Sequence, residues 1–358
     1  MNWSFVNPQW DRLSKEKIIE GGMILGIKVG IIGCGSIAKF RHAPEYKANP
    51  HVDEIVFFDR NNERAKELAK EFGGRAVETV EELLSDPTIV AVSDCSSNEA
   101  HHINSSNALL HGRHVLCEKP LAINVECAEK ILEAQAISGK KLMVDHNQRF
   151  TKSHQKAKEI IEKKELGEVL TFKTSFGHQG PERWGVDKSN ATWFFKKERS
   201  HSGVAGDLGI HKIDLIHYLL DDEIEDVHAF HGALDKVDET GKPIEVCDNV
   251  VCALKTKKGR LGTAAFSWTY YGSEDNSTTI YCQKGIIKIY HHPENQLMIE
   301  MKDGEVVKYE LEPIQTNDYQ YTTGVIDSFI DSILHDKEPA VSGDQALRTL
   351  KVIEKIIG

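Results

Sequence analysis

Paired cysteines are missing from this chain. Its seven cysteines (Cys34, Cys95, Cys117, Cys127, Cys247, Cys252 and Cys282) are odd in number and scattered, with no Cys-x-x-Cys pair. That pattern offers neither a disulfide framework nor a zinc site and fits a reducing cytosol. An excess of positive charge is missing too. The 44 Lys and Arg against 55 Asp and Glu give a net charge of −11, the wrong sign for nucleic acid or an anionic membrane as partner. No apolar run approaches the roughly 18 residues of a membrane-spanning helix, and there are no internal repeats or low-complexity tracts. Asp11, Arg12, Lys15, Glu16 and Lys17 interrupt any apolar core near the start, so residues 1–22 read as an N-terminal extension rather than a secretory signal.

What is present organises into two parts. A chain of 358 residues exceeds what one compact core holds, and 40% hydrophobic with 28% charged residues is the balance of an ordinary globular protein. Residues 27–32 are apolar enough for a strand buried on both faces, as in parallel sheets. The pattern then predicts a helix that ends near Pro44, a strand at 55–58, a helix at 63–72 closed by Gly73-Gly74, a short helix at 80–84 and a strand at 89–92. A helix at 101–111, a strand at 114–117, a helix at 125–138 and a strand at 141–144 continue the alternation. Repeated units of this length imply a doubly wound parallel sheet, a Rossmann-type α/β domain over residues 23–148. After Asp145 the rhythm changes. A helix at 153–164 is followed by β-rich segments such as 169–176, 250–255, 260–268, 277–290 and 297–301, several joined by Gly-containing turns, and by helices at 317–334 and 343–357. Hairpins in series predict an α+β domain over residues 149–358, with a large, open, mostly antiparallel sheet.

Three clusters carry chemistry. Gly33-Cys34-Gly35-Ser36-Ile37-Ala38, directly after a buried strand, lets the backbone approach a pyrophosphate seated on a helix N-terminus. It is answered by Asp59 at the end of the second strand, where a carboxylate can bond both ribose hydroxyls and repels a 2′-phosphate, favouring NAD. Arg60 pulls the other way, since a guanidinium there suits that phosphate, so NADP stays open. The second cluster, Cys117-Glu118-Lys119-Pro120, sets an amine at a strand end, with the residue before proline biased to extended backbone. The third is Gly206-Asp207-Leu208-Gly209-Ile210-His211-Lys212-Ile213-Asp214. On a helix, Asp207 and His211 share a face, and Asp214 lies further along.

Taken singly, Asp207 reads as a helix N-cap and His211 as a core histidine. Their joint occurrence with Lys119 favours chemistry instead. Oxidation of a secondary alcohol needs a base, a cation for the developing alkoxide, and a nicotinamide to take the hydride. His178, Arg183, Trp184, Trp193, Tyr270 and Tyr271 add aromatic faces and donors suited to a polyhydroxylated ring. His178 and Glu182 lack metal-ligand spacing, and no metal is expected. His217 reads as structural, and Cys34 and Cys117 as small core residues.

With these residues in place, the chain from about residue 27 to its end resembles the glucose–fructose oxidoreductase / inositol dehydrogenase / rhizopine-catabolism oxidoreductase (Gfo/Idh/MocA) family. The loop at Gly33–Ala38 looks like its nucleotide loop. Ser96-Ser97-Asn98-Glu99-Ala100-His101 resembles its Thr-Pro-Asn-x-x-His segment beside the nicotinamide ribose, with Ser-Ser softening the turn. Gly112 to Pro120 matches almost letter for letter, and Asp207, His211 and Asp214 fall in register with Gly-Asp-x-Gly-x-His-x-x-Asp. His146-Asn147-Gln148-Arg149-Phe150 stands where many members have Tyr-x-x-Arg-Phe, a change that alters the pocket. The resemblance implies His211 as general acid/base, Asp207 as its orienter, and Lys119 as the cationic partner, with the Lys119–Pro120 bond cis. It also places Ser96, Ser97, Asn98, His101, Glu118 and Lys119 at the cofactor, and His146, Arg149 and Asp214 beside the substrate; His178, Trp193 and Tyr270 are expected there on their chemistry, although each alone reads as packing.

The expected activity is hydride transfer between NAD(P) and a secondary alcohol of a sugar or an inositol-like polyol, in a cytoplasmic homodimer or homotetramer. Two alternatives stay open. One is NAD-dependent hydrolysis or epimerisation through a transient ketone, and the other is a non-catalytic NAD-sensing regulator.

Overall fold

The computed structural model describes residues 19–20, 23–24, 26–185, 188–312 and 322–358. Most of the proposed extension 1–22 lies outside the described residues. Within it, Ile19–Glu20 pairs antiparallel with Met23–Ile24.

Six strands build the main sheet of the first unit: β1 (Ile27–Ile32), β2 (Val52–Phe58), β3 (Arg75–Ala76), β4 (Ile89–Asp94), β5 (His114–Cys117) and β6 (Leu142–Val144). All are parallel, in the order β3-β2-β1-β4-β5-β6. β1 is central because both of its faces are apolar and buried, with Ile27, Val29 and Ile31 on one and Ile32 on the other. The strand order reverses beside β1, so the Gly33 turn opens at the carboxyl end of the sheet, where such folds bind ligands. Helices Asn62–Phe72, Val80–Ser85, His101–Leu110 and Val125–Ser138 supply the crossovers. Thr79 starts the second of these by accepting the Glu82 N–H, while the Glu82 carboxylate accepts the Glu78 N–H, a local form of the capping box.

The first crossover departs from the sequence expectation. It does not end near Pro44 but runs as a π-helical segment, Ala38–His42, into an α-helix, Ala43–Ala48. Pro44 falls in the first turn of that α-helix, where a missing N–H is tolerated.

The second unit carries β7 (Val169–Gly177), β8 (Ile224–Gly232), β9 (Asn249–Thr256), β10 (Leu261–Ser267), β11 (Thr278–Cys282), β12 (Gly285–Ile289), β13 (Leu297–Met301) and β14 (Val306–Tyr309). Their order is β8-β9-β10-β7-β11-β12-β13-β14. The expected antiparallel character holds except that β7 and β10 run parallel. The β-rich segment expected at 277–290 is a hairpin, β11–β12, and β8 and β14 had no clear alternation in the sequence. Side chains alternate on β9: Val250, Cys252 and Leu254 are buried, whereas Val251 is 60% exposed. The buried face packs on helices Lys152–Glu162, Ile210–Leu220 and Gly343–Ile357 through Ile160, Ile213, Ile216, Phe266, Ile280, Ile287 and Ile353.

The contacts divide the chain less simply than two consecutive domains. Residues 320–345 group with the first unit, and 123–125, 146–319 and 346–358 form the second. The reason lies in hydrogen bonds. Thr323 donates its N–H and hydroxyl to Glu45, Asn49 donates to Asp327, and the Val144 N–H bonds Val341 O at 3.1 Å. The expected helix at 317–334 is seen as Val325–Leu334, and residues 317–321 lie outside the described ones.

Candidate active site

In the first unit, Gly33 has φ +93°, and a Cβ there would come within 2.6 Å of Cys95 O, so no other residue fits the turn. A Cβ on Gly35 would meet nothing within 4 Å; the loop faces open space that a side chain would fill. Cys34 N–H donates to Asp59 Oδ2 at 2.7 Å, and Asn61 N–H donates to Oδ1 at 2.7 Å. The carboxylate is thereby fixed beside the turn, with a lone pair left on each oxygen. Ser36 and Ile37 lead into the π-helical segment, and Arg60 is exposed. Burial pushes the Cys34 thiol well up, so it acts as packing rather than as a nucleophile. A cleared backbone cradle, a helix start and an oriented acidic acceptor suit a dinucleotide.

Asp94 secures the Ser96-Ser97 turn that the missing Thr-Pro was expected to soften. Its Oδ1 accepts the Ser96 N–H and hydroxyl, and its Oδ2 accepts the Ser105 hydroxyl. Asn98 is buried just beyond. His101 is fully buried, with Nδ1 at 2.8 Å from Pro120 O and Nε2 at 3.1 Å from Ser96 O. Carbonyl oxygens only accept, so both nitrogens carry protons. Burial opposes that charge, yet Cys117, Asp94 and the Pro120 carbonyl raise the pKa to about 10. The His101 ring therefore ties two loops together. Glu118 is likewise turned inward, onto His42. Lys119 stands half-buried after β5, and its bond to Pro120 is cis.

In the second unit, Asp207 lies on a π-helical segment, Ala205–Gly209, that becomes the α-helix Ile210–Leu220 at Ile210. The expected regular helix is thus widened through Asp207, in the manner of π-bulges at functional sites. The segment ends at Gly209, which lies so close to Phe266 that a Cβ there would come within 2.8 Å of the ring. Asp207 does not cap the helix; it accepts the Trp268 Nε1–H at 3.1 Å, with both groups buried. His211 is 9% exposed and its ring lies 5.9 Å from that of Phe176. Phe176 meets His178 at 5.8 Å, His178 meets Trp184 at 6.3 Å, Trp184 meets Phe194 at 5.1 Å, and Phe194 meets Trp268 at 6.4 Å. The series runs from the catalytic candidate His211 back to the indole held by Asp207. Trp193 stacks on Phe194 at 3.9 Å, and the Tyr270 ring covers Gly177.

Asp214 and Arg149 meet each other. Arg149 Nε and Nη2 donate to the two Asp214 oxygens at 2.7 and 2.6 Å, and His146 Nδ1 stands 3.7 Å from the same carboxylate. With Asp214 only 1% exposed, the pair braces the helix that carries His211. His217 is structural as expected: its Nε2 accepts the Ile224 N–H at 3.1 Å, and burial lowers its pKa to about 4.

Sequence reasoning did not find Trp268 as the partner of Asp207, although alternation along 260–268 puts Phe266 and Trp268 on one face. It also passed over Phe176, Phe194 and His42.

Comparison with known proteins agrees with this geometry. Residues 27–146 match the model of an oxidoreductase family with an NAD-binding Rossmann fold, and residues 154–288 match the GFO/IDH/MocA C-terminal domain. The chain is 33% identical over 199 residues to glucose-6-phosphate 3-dehydrogenase of Bacillus subtilis, covering 55% of this chain and 54% of that one. It therefore spans about half the length of that relative. It is 25% identical over 332 residues to myo-inositol 2-dehydrogenase of Thermotoga maritima, covering 90% of this chain and 93% of the relative. Among solved structures, a levoglucosan dehydrogenase in complex with NADH and levoglucosan superposes with a TM-score of 0.82 at 23% identity, over 93% of this chain and 96% of that one. Among the described residues no helix is long and apolar enough to cross a membrane. With both of its parts matched in order, the chain belongs to the GFO/IDH/MocA oxidoreductase family and carries that family's NAD-binding Rossmann domain.

Proposed function

We propose that this protein is an NAD-dependent dehydrogenase that oxidises a secondary hydroxyl of a sugar or cyclic polyol, of the kind its relatives are named for: glucose 6-phosphate, myo-inositol or levoglucosan. The observation that carries the reading is the buried Asp207–Trp268 bond at the π-to-α junction one step from His211, in a chain with an NAD-binding domain. Gly33, Cys34, Gly35, Ser36, Ile37 and Asp59 would hold the nucleotide, with Asp59 favouring NAD over NADP. When bound, the nicotinamide supplies the hydride acceptor.

The protein's own groups do the rest. The His211 imidazole takes the hydroxyl proton as general base. Asp207, anchored by the Trp268 indole, accepts a neighbouring hydroxyl and sets the imidazole orientation. The Lys119 ammonium stabilises the charge that develops on oxygen. The rings of Phe176, His178, Trp184, Phe194 and Trp193 offer faces to the C–H surface of a sugar and keep water from the reacting carbon. Arg149 and Asp214 act one layer back, as a brace.

Phe230, Val251 and Leu261 are exposed on the neighbouring strands β8, β9 and β10 of the second sheet, and Tyr281 on β11, with β7 between β10 and β11. We assign this apolar face to homodimer or homotetramer assembly, which sedimentation velocity checks. Seven free cysteines, six of them buried, fit a cytoplasmic setting. The reading is tested by NADH absorbance across a panel of inositols, hexoses, hexose phosphates and anhydrosugars. NADH formation with one compound class supports it. Tight NAD binding without turnover of any compound would favour a sensor instead.

A further inference from the structure

His42 belongs to none of the motifs above. It lies on the helical segment after the dinucleotide turn, 1% exposed, and its Nε2 reaches Glu118 Oε1 at 2.8 Å and Asp145 Oδ2 at 3.4 Å. Glu118 directly follows β5 and Asp145 directly follows β6. The other ring nitrogen is 3.1 Å from Ser93 Oγ on β4, and that hydroxyl is 2.7 Å from Tyr46 OH. The free oxygen of Glu118 accepts the Lys119 N–H at 3.1 Å. Among the described residues, Asp145 Oδ1, though buried, has no hydrogen-bond partner. An N–O separation of 2.8 Å is a hydrogen bond; a zinc ion would stand at roughly 2.0–2.2 Å from each atom and hold the two further apart. The set is a charge cluster rather than a metal centre.

Two carboxylates this buried need a cation. Burial opposes a charge on His42, but Cys95, Asp145 and Glu118 together hold its pKa well above the ordinary imidazole value. Cys95 is itself kept protonated by burial, with a pKa of about 11, which leaves the carboxylates as the main cause. Burial and the Glu118 charge raise Asp145 to about 6. Arg41 faces the cluster from the same segment as His42, Glu45 from the α-helix that continues it, and Lys119 from the end of β5.

We propose that His42 is a positioning residue: shared by Glu118 and Asp145, it latches the helix of the dinucleotide turn to the strand ends that present Lys119. The catalytic consequence rests on the role assigned to Lys119 above, whereas the effect on cofactor binding does not. Without His42, two ionised carboxylates face each other, Glu118 swings from the Lys119 amide, and the helix under the nucleotide loop loses its tie.

The test compares His42→Gln, Asp145→Asn and the double variant by NADH fluorescence titration and by turnover of the compound the panel identifies. His42→Gln is expected to weaken NADH binding by about tenfold, and to do so increasingly between roughly pH 6 and 8 as Asp145 ionises. Adding Asp145→Asn removes the surplus charge and should restore binding to within about threefold of wild type. Wild-type binding by His42→Gln at every pH overturns the latch, as does a double variant no better than the single. If His42→Gln does not fold, recovery of a folded, NADH-binding protein in the double variant supports the latch, and continued failure overturns it. Lys119→Ala is measured alongside: normal turnover there would sink the lysine's role while leaving the binding comparison intact.

Discussion

Replacing Asp214 by Asn probes the brace beneath His211. The substitution keeps the shape of the side chain but turns one acceptor oxygen into a donor facing the Arg149 guanidinium, which now donates at 2.7 and 2.6 Å to both oxygens. Arg149 is 7% exposed and is packed over the Tyr218 ring at 5.5 Å, so water cannot replace the lost partner. Removing one member of a buried pair costs about 3–5 kcal/mol, because the remaining charge stays desolvated and unpaired. For a body of this size that corresponds to a fall in Tm of roughly 6–20 °C. Urea unfolding followed by tryptophan fluorescence reads it as a lower midpoint at unchanged slope. The double variant Arg149→Met/Asp214→Leu removes both charges and should recover most of the loss, giving strongly non-additive energies. A cost below about 1 kcal/mol for Asp214→Asn, or single effects that simply add, would refute the assignment of this pair as a buried brace.

Three further outcomes are expected. Gly35→Ala should fold normally, since its Cβ meets no protein atom, yet bind NADH at least about tenfold more weakly, whereas Gly33→Ala should lower Tm because of its φ of +93° and the contact with Cys95 O; equal NADH affinity in Gly35→Ala and wild type counts against the cradle. Asp59→Ser should weaken NAD and improve NADP binding, with Arg60 free to pair with the 2′-phosphate, and a wild type that already prefers NADP in side-by-side titrations shows that Arg60 dominates. His217 has a folded pKa of about 4 against an ordinary 6.5, so between those values the unfolded chain binds the extra proton and stability falls as pH falls through that window; His217→Gln should flatten urea midpoints measured across it, and an unchanged slope would rule His217 out as the cause.

The parallel half of the fold was legible because its strands are short apolar runs, as at residues 27–32, and its helices end in glycines, as at Gly73 and Gly112. The nucleotide loop and Asp59 were legible for the same local reason: spacing along the chain decides their chemistry. What escaped depends on partners distant in sequence. Helix Val325–Leu334 carries nothing that announces Glu45 and Asn49 as its neighbours, so residues 320–345 read as part of the second domain. β8 has charged and polar residues at Glu225, Asp226, His228 and His231, which hides the alternation of an edge strand. Asp214 and Arg149 were set at the substrate by resemblance, whereas their pairing joins residues 65 apart in the chain, which spacing does not show. The helix at Asp207 looked regular because neither its widening nor the close approach of Gly209 to Phe266, far along the chain, is written in local spacing.

The central claim is that a nicotinamide-dependent oxidation runs through the Lys119 ammonium and the His211 imidazole. Its most direct test is NADH formation by Lys119→Ala on the compound the panel identifies, measured together with NAD affinity. The expected result is affinity close to wild type with turnover lowered by about two to four orders of magnitude. Near-normal turnover with NAD binding intact would contradict the claim.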